Sequence, residues 1–360
     1  MNFCDIFLEV RSNPKWWNYY GLDLGKIKSD IGTINYADFI SKFIKISGKS
    51  DNLLYDAIDG LSGTVRPNHI VNTFFLGVYL YNKNNRFKDQ IDIATNGFES
   101  AFINHNPEER FQFIWFLICL FHDLGYKKEE DSKKMLAIYL NNEIVKLKQS
   151  NLGEITGVPT LYKDILNYLD YRKERFACID HGVYAGKILY RDLCKILNQK
   201  LSGQRQRIVN TEDGQLYFCD ELKEVYNYAA WIISAHNIFF AKSSSDKKLY
   251  KKYKLDKLII KPDEYPISLN AYPMFYLFCL VDSLEPIKVF RDKELLRSLF
   301  LTISDKELKI RSEIKCGCHS SYFDKVKSLN DWLTPVKLDD RTRTLHIQFN
   351  FSLFGCRDVF

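Results

Sequence analysis

The sequence predicts a mainly α protein, a helical bundle with a small α+β domain at its C-terminal end. Three observations carry this. Apolar residues recur at three- and four-residue spacing through most of the 360-residue chain, up to about residue 298. Short loop signals rich in Gly, Pro, Asn and Ser separate these stretches. From Leu299 onward the pattern shifts to the period-two alternation of strands.

Residues 1–60 read as a helical N-terminal lead. Its segment NPKWWNYYGLDL, with Trp16, Trp17, Tyr19 and Tyr20, is read first as a packing element, with base stacking as the alternative. Residues 61–298 form the expected all-α domain. Helices are predicted over 70–81 (IVNTFFLGVYLY), 135–147, 181–195, 221–235 and 273–290. The loops between them carry SGTVRPN, NHNPEER, NLGEITGVP, NQKLSGQRQ and KPDEYP. The run FQFIWFLICLF, residues 111–121, is apolar on every side, so its helix belongs in the core. Beyond 299, SLFLTISDKELKIRSEI and VKLDDRTRTLHIQFNFSLF alternate as strands around a helix-like HSSYFDKVKSLNDWL. Residues 299–360 are therefore expected to form the small α+β domain.

The composition is that of a globular chain: 46% apolar, 27% charged and 15% aromatic. The longest apolar run falls far short of the roughly 18 residues a membrane helix needs. The first residues, MNFCDIFLEV, hold Asp5 and Glu9 and lack a basic lead-in, unlike a signal peptide. A cytoplasmic location is expected. Nine scattered cysteines, an odd number, read as reduced thiols packed as small apolar residues. KCGCHS, with Cys316, Cys318 and His319, has half the ligands of a zinc site but no second cysteine pair, so packing is the preferred reading. The net charge of +6 has a location: eight lysines against Asp246 and Asp256 between Lys242 and Lys261. The rest of the chain is balanced, which disfavours a nucleic-acid-coating surface. The lysine run is either a solvated face or a patch that steers an anionic ligand.

Four of the seven histidines lie on or at the ends of the predicted helices: His69 in NHIVNTFFLG, His122 in LICLFHDLG, His181 in CIDHGVYAGKIL and His236 in AAWIISAHNIFF. Asp123 follows His122, and Asp282 interrupts the apolar FYLFCLVDSLEP. Burying four imidazoles and two carboxylates separately would cost roughly a few kcal/mol each. Convergence on one or two divalent cations removes that cost together, and imidazole with carboxylate suits Fe, Mn, Zn or Ni. Gly125 is expected to end the helix so that His122 and Asp123 can face one cavity.

This order of residues resembles the HD-domain superfamily of metal-dependent phosphohydrolases, over roughly residues 60 to 292. HDLG is similar to the family's name motif, and NHIVNTFFLG, DHGVYAG and LVDSLEP resemble its flanking segments. The resemblance implies a first metal held by His69, His122, Asp123 and Asp282. It implies that Asp123 bridges to a second metal held by His181 and His236, the two-metal subtype, with Mg as a further candidate ion. Many relatives carry Lys directly after the Gly; here Tyr126 stands there and Lys127 follows.

The chemistry this implies is hydrolysis of a phosphoester or phosphoanhydride in a nucleotide or nucleotide-like second messenger, with a metal-bridged hydroxide as nucleophile. Arg66, Lys187 and Lys288 are the cations expected to contact phosphate, each with a solvated helix cation as its alternative. Lys288 closes DSLEPIK, which is similar to the DxxEPxR ending of HD dinucleoside-polyphosphate hydrolases. The same ligands serve di-iron oxygenases of this superfamily, and a nucleotide-binding regulator is the third reading. The expected partner is an anionic small molecule, with no membrane; a homodimer is compatible with the sequence.

Overall fold

A computed structural model describes residues 1–19, 66–150, 152, 162–211, 214–239, 244–259, 265–289, 293–314 and 317–351. Its helices are, in chain order, α1 (Phe3–Ser12), α2 (Arg66–Lys83), α3 (Asn85–Thr95), α4 (Pro107–Phe121), α5 (Tyr126–Ser132), α6 (Ala137–Gln149), α7 (Tyr162–Phe176) and α8 (His181–Leu201). After the strands β1 (Gln206–Thr211) and β2 (Gly214–Cys219) come α9 (Leu222–Ala235), α10 (Ser244–Lys252), α11 (Pro273–Leu284) and α12 (Lys293–Arg297). The C-terminal part holds β3 (Leu299–Ile303), β4 (Glu307–Ser312), α13 (Gly317–Lys327), β5 (Val336–Asp339) and β6 (Thr344–Gln348). The chain is mainly α with a small α+β C-terminal region, as the periodicity predicts. Most of the lead, residues 20–60, lies outside the described residues, as do most of the loops NLGEITGVP, SGTVRPN and KPDEYP.

The described residues form two compact units. The first takes Met1–Tyr19, Gly63–Thr95 and Ile260–Val359; the second takes Asn96–Ile259. The first unit thus groups α2, α3 and α11 with the C-terminal sheet. In the first unit, α2 packs on α1, α3 and α11, and α1 packs on α12 and β3. The sheet is antiparallel in the order β3-β4-β6-β5. Alternation puts Leu301, Leu308, Ile310, Leu345 and Ile347 on its buried face. Residue 1 is tied to this sheet, since Leu301 N–H donates to the Met1 carbonyl at 2.8 Å. Trp17 is a packing element: its ring packs edge-on to Phe75, and its Nε1–H donates to the Val10 carbonyl at 2.9 Å.

In the second unit α4 is the central helix. Asn106 caps it by accepting from Glu108 N–H, Pro107 sits at its first position, and every residue from Arg110 to Phe121 is buried. α9 packs on both α4 and α8. The hairpin β1–β2 follows the predicted loop NQKLSGQRQ in a stretch to which the sequence assigns no element; its strands Gln206–Thr211 and Gly214–Cys219 pair in antiparallel register. Cys178, Cys219 and Cys279 are buried and carry no disulfide, as expected of packed thiols. Cys316 lies outside the described residues, and the buried His319 bonds to the hydroxyls of Ser298 and Ser312. Among the described residues, no helix is long and apolar enough to cross a membrane.

Candidate metal centre

The second unit brings four of the six expected ligands together. α4 ends at Phe121, and His122 is its C-cap, so His122 and Asp123 leave the helix as buried neighbours. His181 opens α8, and His236 caps the C-terminal end of α9. The His236 ring lies between the other two, with centroids 6.3 Å from His122 and 5.3 Å from His181. His69 and Asp282 belong to the first unit, on α2 and α11, with His69 Nε2 2.9 Å from Asp282 Oδ1.

Each of the four imidazoles commits Nδ1 to an oxygen acceptor. His122 Nδ1 lies 2.7 Å from the Cys119 carbonyl, and His236 Nδ1 lies 2.6 Å from the Ile233 carbonyl. His181 Nδ1 lies 2.8 Å from Glu129 Oε2, and His69 Nδ1 lies 2.7 Å from Glu285 Oε2. A carbonyl or an ionised carboxylate only accepts, so Nδ1 is the donor in these four contacts and Nε2 is the nitrogen left for a further partner. This is the arrangement of metal-ligating histidine, whose second nitrogen is tied to a carbonyl or carboxylate.

The donor set fits a divalent transition metal. His122 Nε2 stands 3.1 Å from Asp123 Oδ1, and both residues are buried. Two ligand atoms, each about 2.1 Å from one ion and at right angles, stand about 3 Å apart. His69 Nε2 and Asp282 Oδ1 meet the same spacing. In both pairs a ring lone pair faces a carboxylate oxygen, a contact that only a shared cation or an added proton makes favourable.

Glycines set the approach of these elements. A Cβ on Gly125 would lie 2.1 Å from the His181 carbonyl oxygen, and one on Gly182 would lie 2.6 Å from Cε1 of His236. Gly125 has φ −79°, so its place at the end of the motif is owed to close approach and not to a left-handed turn. Tyr126 stacks on His181 with centroids 3.7 Å apart and planes at 17°. Tyr126 thus packs against the candidate ligand His181, while Lys127 is exposed.

Several partners of the ligands escape sequence reasoning. Glu129, Asp180 and His181 present ligand-type atoms within 4.8 Å of one another, all buried, a group whose composition could hold a metal ion. Its carboxylates are already engaged. Arg172 donates to Glu129 Oε1 at 2.7 Å, Asp180 Oδ1 caps α8 through Val183 N–H, and the Asn237 amide lies 3.3 Å from Asp180 Oδ2. A guanidinium thus supplies the positive charge, and both carboxylates stand behind His181. Burial pushes the Glu129 carboxyl up, but the His181 hydrogen bond and the Arg172 charge outweigh it and hold it at about 2. The Asn237 amide also lies 3.3 Å from His181 Nε2, which marks the lone pair on that atom. In the first unit Glu285 is fully buried and accepts from His69, from Asn72 Nδ2 at 3.0 Å and from Ile287 N–H at 2.9 Å. Asp180 had a readable signal, an N-cap residue directly before a helix. Glu129 had none, since YKKEE reads as a solvated run.

The cations divide. Lys187 is buried on α8, and its amine donates to the Ser150 carbonyl. Arg66 opens α2 and Lys288 closes the turn Pro286–Lys288; both side chains lie outside the described residues. In the lysine run, Lys242 and Lys261 lie outside them too, while Lys247, Lys248 and Lys251 are exposed. α10 is anchored by the buried Tyr250, whose hydroxyl donates to the Ile238 carbonyl at 2.7 Å, two residues past His236. Compared with protein-family models, with curated proteins and with solved structures, the chain finds no match, so its own residues carry the functional reading.

Proposed function

We propose that the chain is an HD-type metal-dependent phosphohydrolase acting on a nucleotide or nucleotide-like anion. The observation that carries this is that four buried imidazoles each place Nδ1 against an oxygen acceptor, and that Nε2 of His122 and of His69 each stand beside a carboxylate oxygen at the spacing of two ligands to one ion. A ligating histidine ties its second nitrogen to a carbonyl or carboxylate in this way. His122, Asp123, His181 and His236 would hold divalent metal, and the resemblance of the sequence assigns His69 and Asp282 to the same set. Bound metal would supply Lewis acidity toward a phosphoryl group and lower the pKa of water toward neutrality.

The chain's own residues do the rest. Asp123 supplies the carboxylate beside His122, and Glu129 and Glu285 keep His181 and His69 in one tautomer. The apolar wall of α4 keeps bulk water from the ligands and strengthens every electrostatic contact there. Lysines 247, 248 and 251 on α10 favour an anionic substrate over a neutral one.

The test is metal analysis of the purified chain followed by a phosphate-release screen over nucleotides, with Asp123→Ala as the control. Bound transition metal and phosphate release that both fall at least 100-fold in Asp123→Ala are the expected result. Full activity and full metal in that variant would overturn the assignment. Turnover that needs oxygen and releases no phosphate would favour the oxidative chemistry instead.

A further inference from the structure

Glu129 stands on α5 and reaches the first residue of α8. Its Oε2 accepts from two donors of one residue, His181 Nδ1–H at 2.8 Å and His181 backbone N–H at 3.1 Å. The ring cannot turn without breaking that pair. Oε1 is held by Arg172 Nη2 at 2.7 Å, so the carboxylate is itself fixed. The stacked Tyr126 covers one face of the imidazole, and the backbone of His181 is seated in the space that Gly125 leaves. His122 and His236, the other two histidines of the candidate centre in this unit, differ. They give Nδ1–H to backbone carbonyls, which are neutral, whereas His181 gives it to a full negative charge. A carboxylate partner pushes electron density into the ring and makes Nε2 a stronger donor.

We propose that Glu129 is a positioning residue for His181, fixing its ring and tautomer and strengthening Nε2 as a ligand to a divalent transition metal. Arg172 holds the carboxylate in place for this role. The inference rests on the metal-binding reading above and assigns a duty to a residue outside the ligand set.

The experiment titrates the full-length, metal-stripped chain with Co²⁺ against a chelating indicator and records the Co²⁺ absorption spectrum. Glu129→Gln still accepts from Nδ1 but loses the charge, and should weaken binding about 10-fold with an altered spectrum; Glu129→Ala should lose up to about 100-fold. Adding Glu129→Gln to His181→Ala should cost nothing further, a result that a merely structural role would not give. Glu143→Gln, which removes a surface partner of Lys128, is the control and should match wild type. Thermal unfolding checks that each variant is folded, and Glu129→Gln decides the matter if Glu129→Ala is not. Wild-type affinity and spectrum in Glu129→Gln would overturn the inference and leave the metal reading standing. A wild-type chain that binds no Co²⁺ would overturn both.

Discussion

Lys187 carries an amine into the interior of the second unit, where only 1% of the residue is exposed. Burial lowers its pKa from the ordinary lysine value of 10.5 to about 8. The folded state therefore holds this proton less tightly than the unfolded chain does. Below pH 8 both states are protonated and the full desolvation penalty opposes folding. Between about 8 and 10.5 the folded amine is neutral while the unfolded one is still charged, so stability rises with pH. Lys187→Met is expected to be more stable than wild type at pH 7 by about 1–2 kcal/mol, after allowing for the lost bond to the Ser150 carbonyl. The gap should close between pH 8 and 10.5, as read by urea unfolding of both proteins across that range. Glu129 shows the reverse case at the same scale. A carboxylate in a stretch that reads as solvated is buried because His181 and Arg172 satisfy it, and no periodicity announces such a partner.

At the scale of elements, the contact of α8 with α9 decides where His236 sits. Gly182 and Gly186 are one helical turn apart and share a face. A Cβ on Gly186 would lie 2.4 Å from the Ala230 carbonyl and 2.1 Å from Ser234 Oγ; on Gly182 it would meet the His236 ring. Alanine is the better helix former by about 1 kcal/mol, but a backbone carbonyl cannot step aside as a side chain can. Gly186→Ala is accordingly expected to destabilise by about 1–3 kcal/mol in chemical denaturation. Gly182→Ala would meet both the His236 ring and the Ile233 carbonyl, the latter at 2.8 Å, and should displace the ring and weaken metal binding, measured by the same Co²⁺ titration, with a comparable loss of stability. DHGVYAG shows these glycines to any reader of the sequence; their reason becomes visible only when α9 is placed against them. The same holds at Gly125, where sequence points to a helix end and the structure adds the closely packed backbone of His181.

For the whole molecule, buried imidazoles and carboxylates impose a cost that a bound ion would relieve, so folding and metal binding should be linked. Saturating metal, at about 100 times its dissociation constant, should stabilise the chain by about 2.7 kcal/mol, and a chelator should remove that gain. Calorimetric melts with and without transition metal measure it. An unchanged melting temperature would mean that the native chain gains nothing from the ion.

The sequence by itself determined the mainly α class, the helices α2, α4, α6, α8, α9 and α11, the strands of the C-terminal sheet and the His–Asp set. These are legible because each depends on local spacing: 3.6 for a buried helical stripe, two for a strand, and polar interruption of an apolar run for a ligand. Tertiary structure alone decided that Glu129, Asp180, Asn237 and Glu285 back the histidines, that Tyr126 stacks on His181, and that Lys187 is buried. It also decided that α2 and α3 fall in one compact unit with the C-terminal sheet. Those facts depend on which residues distant in the chain come within 3 Å of each other. That follows from how apolar faces and glycine gaps fit together, and a hydrogen-bond partner 52 residues from His181 leaves no period in the sequence to read.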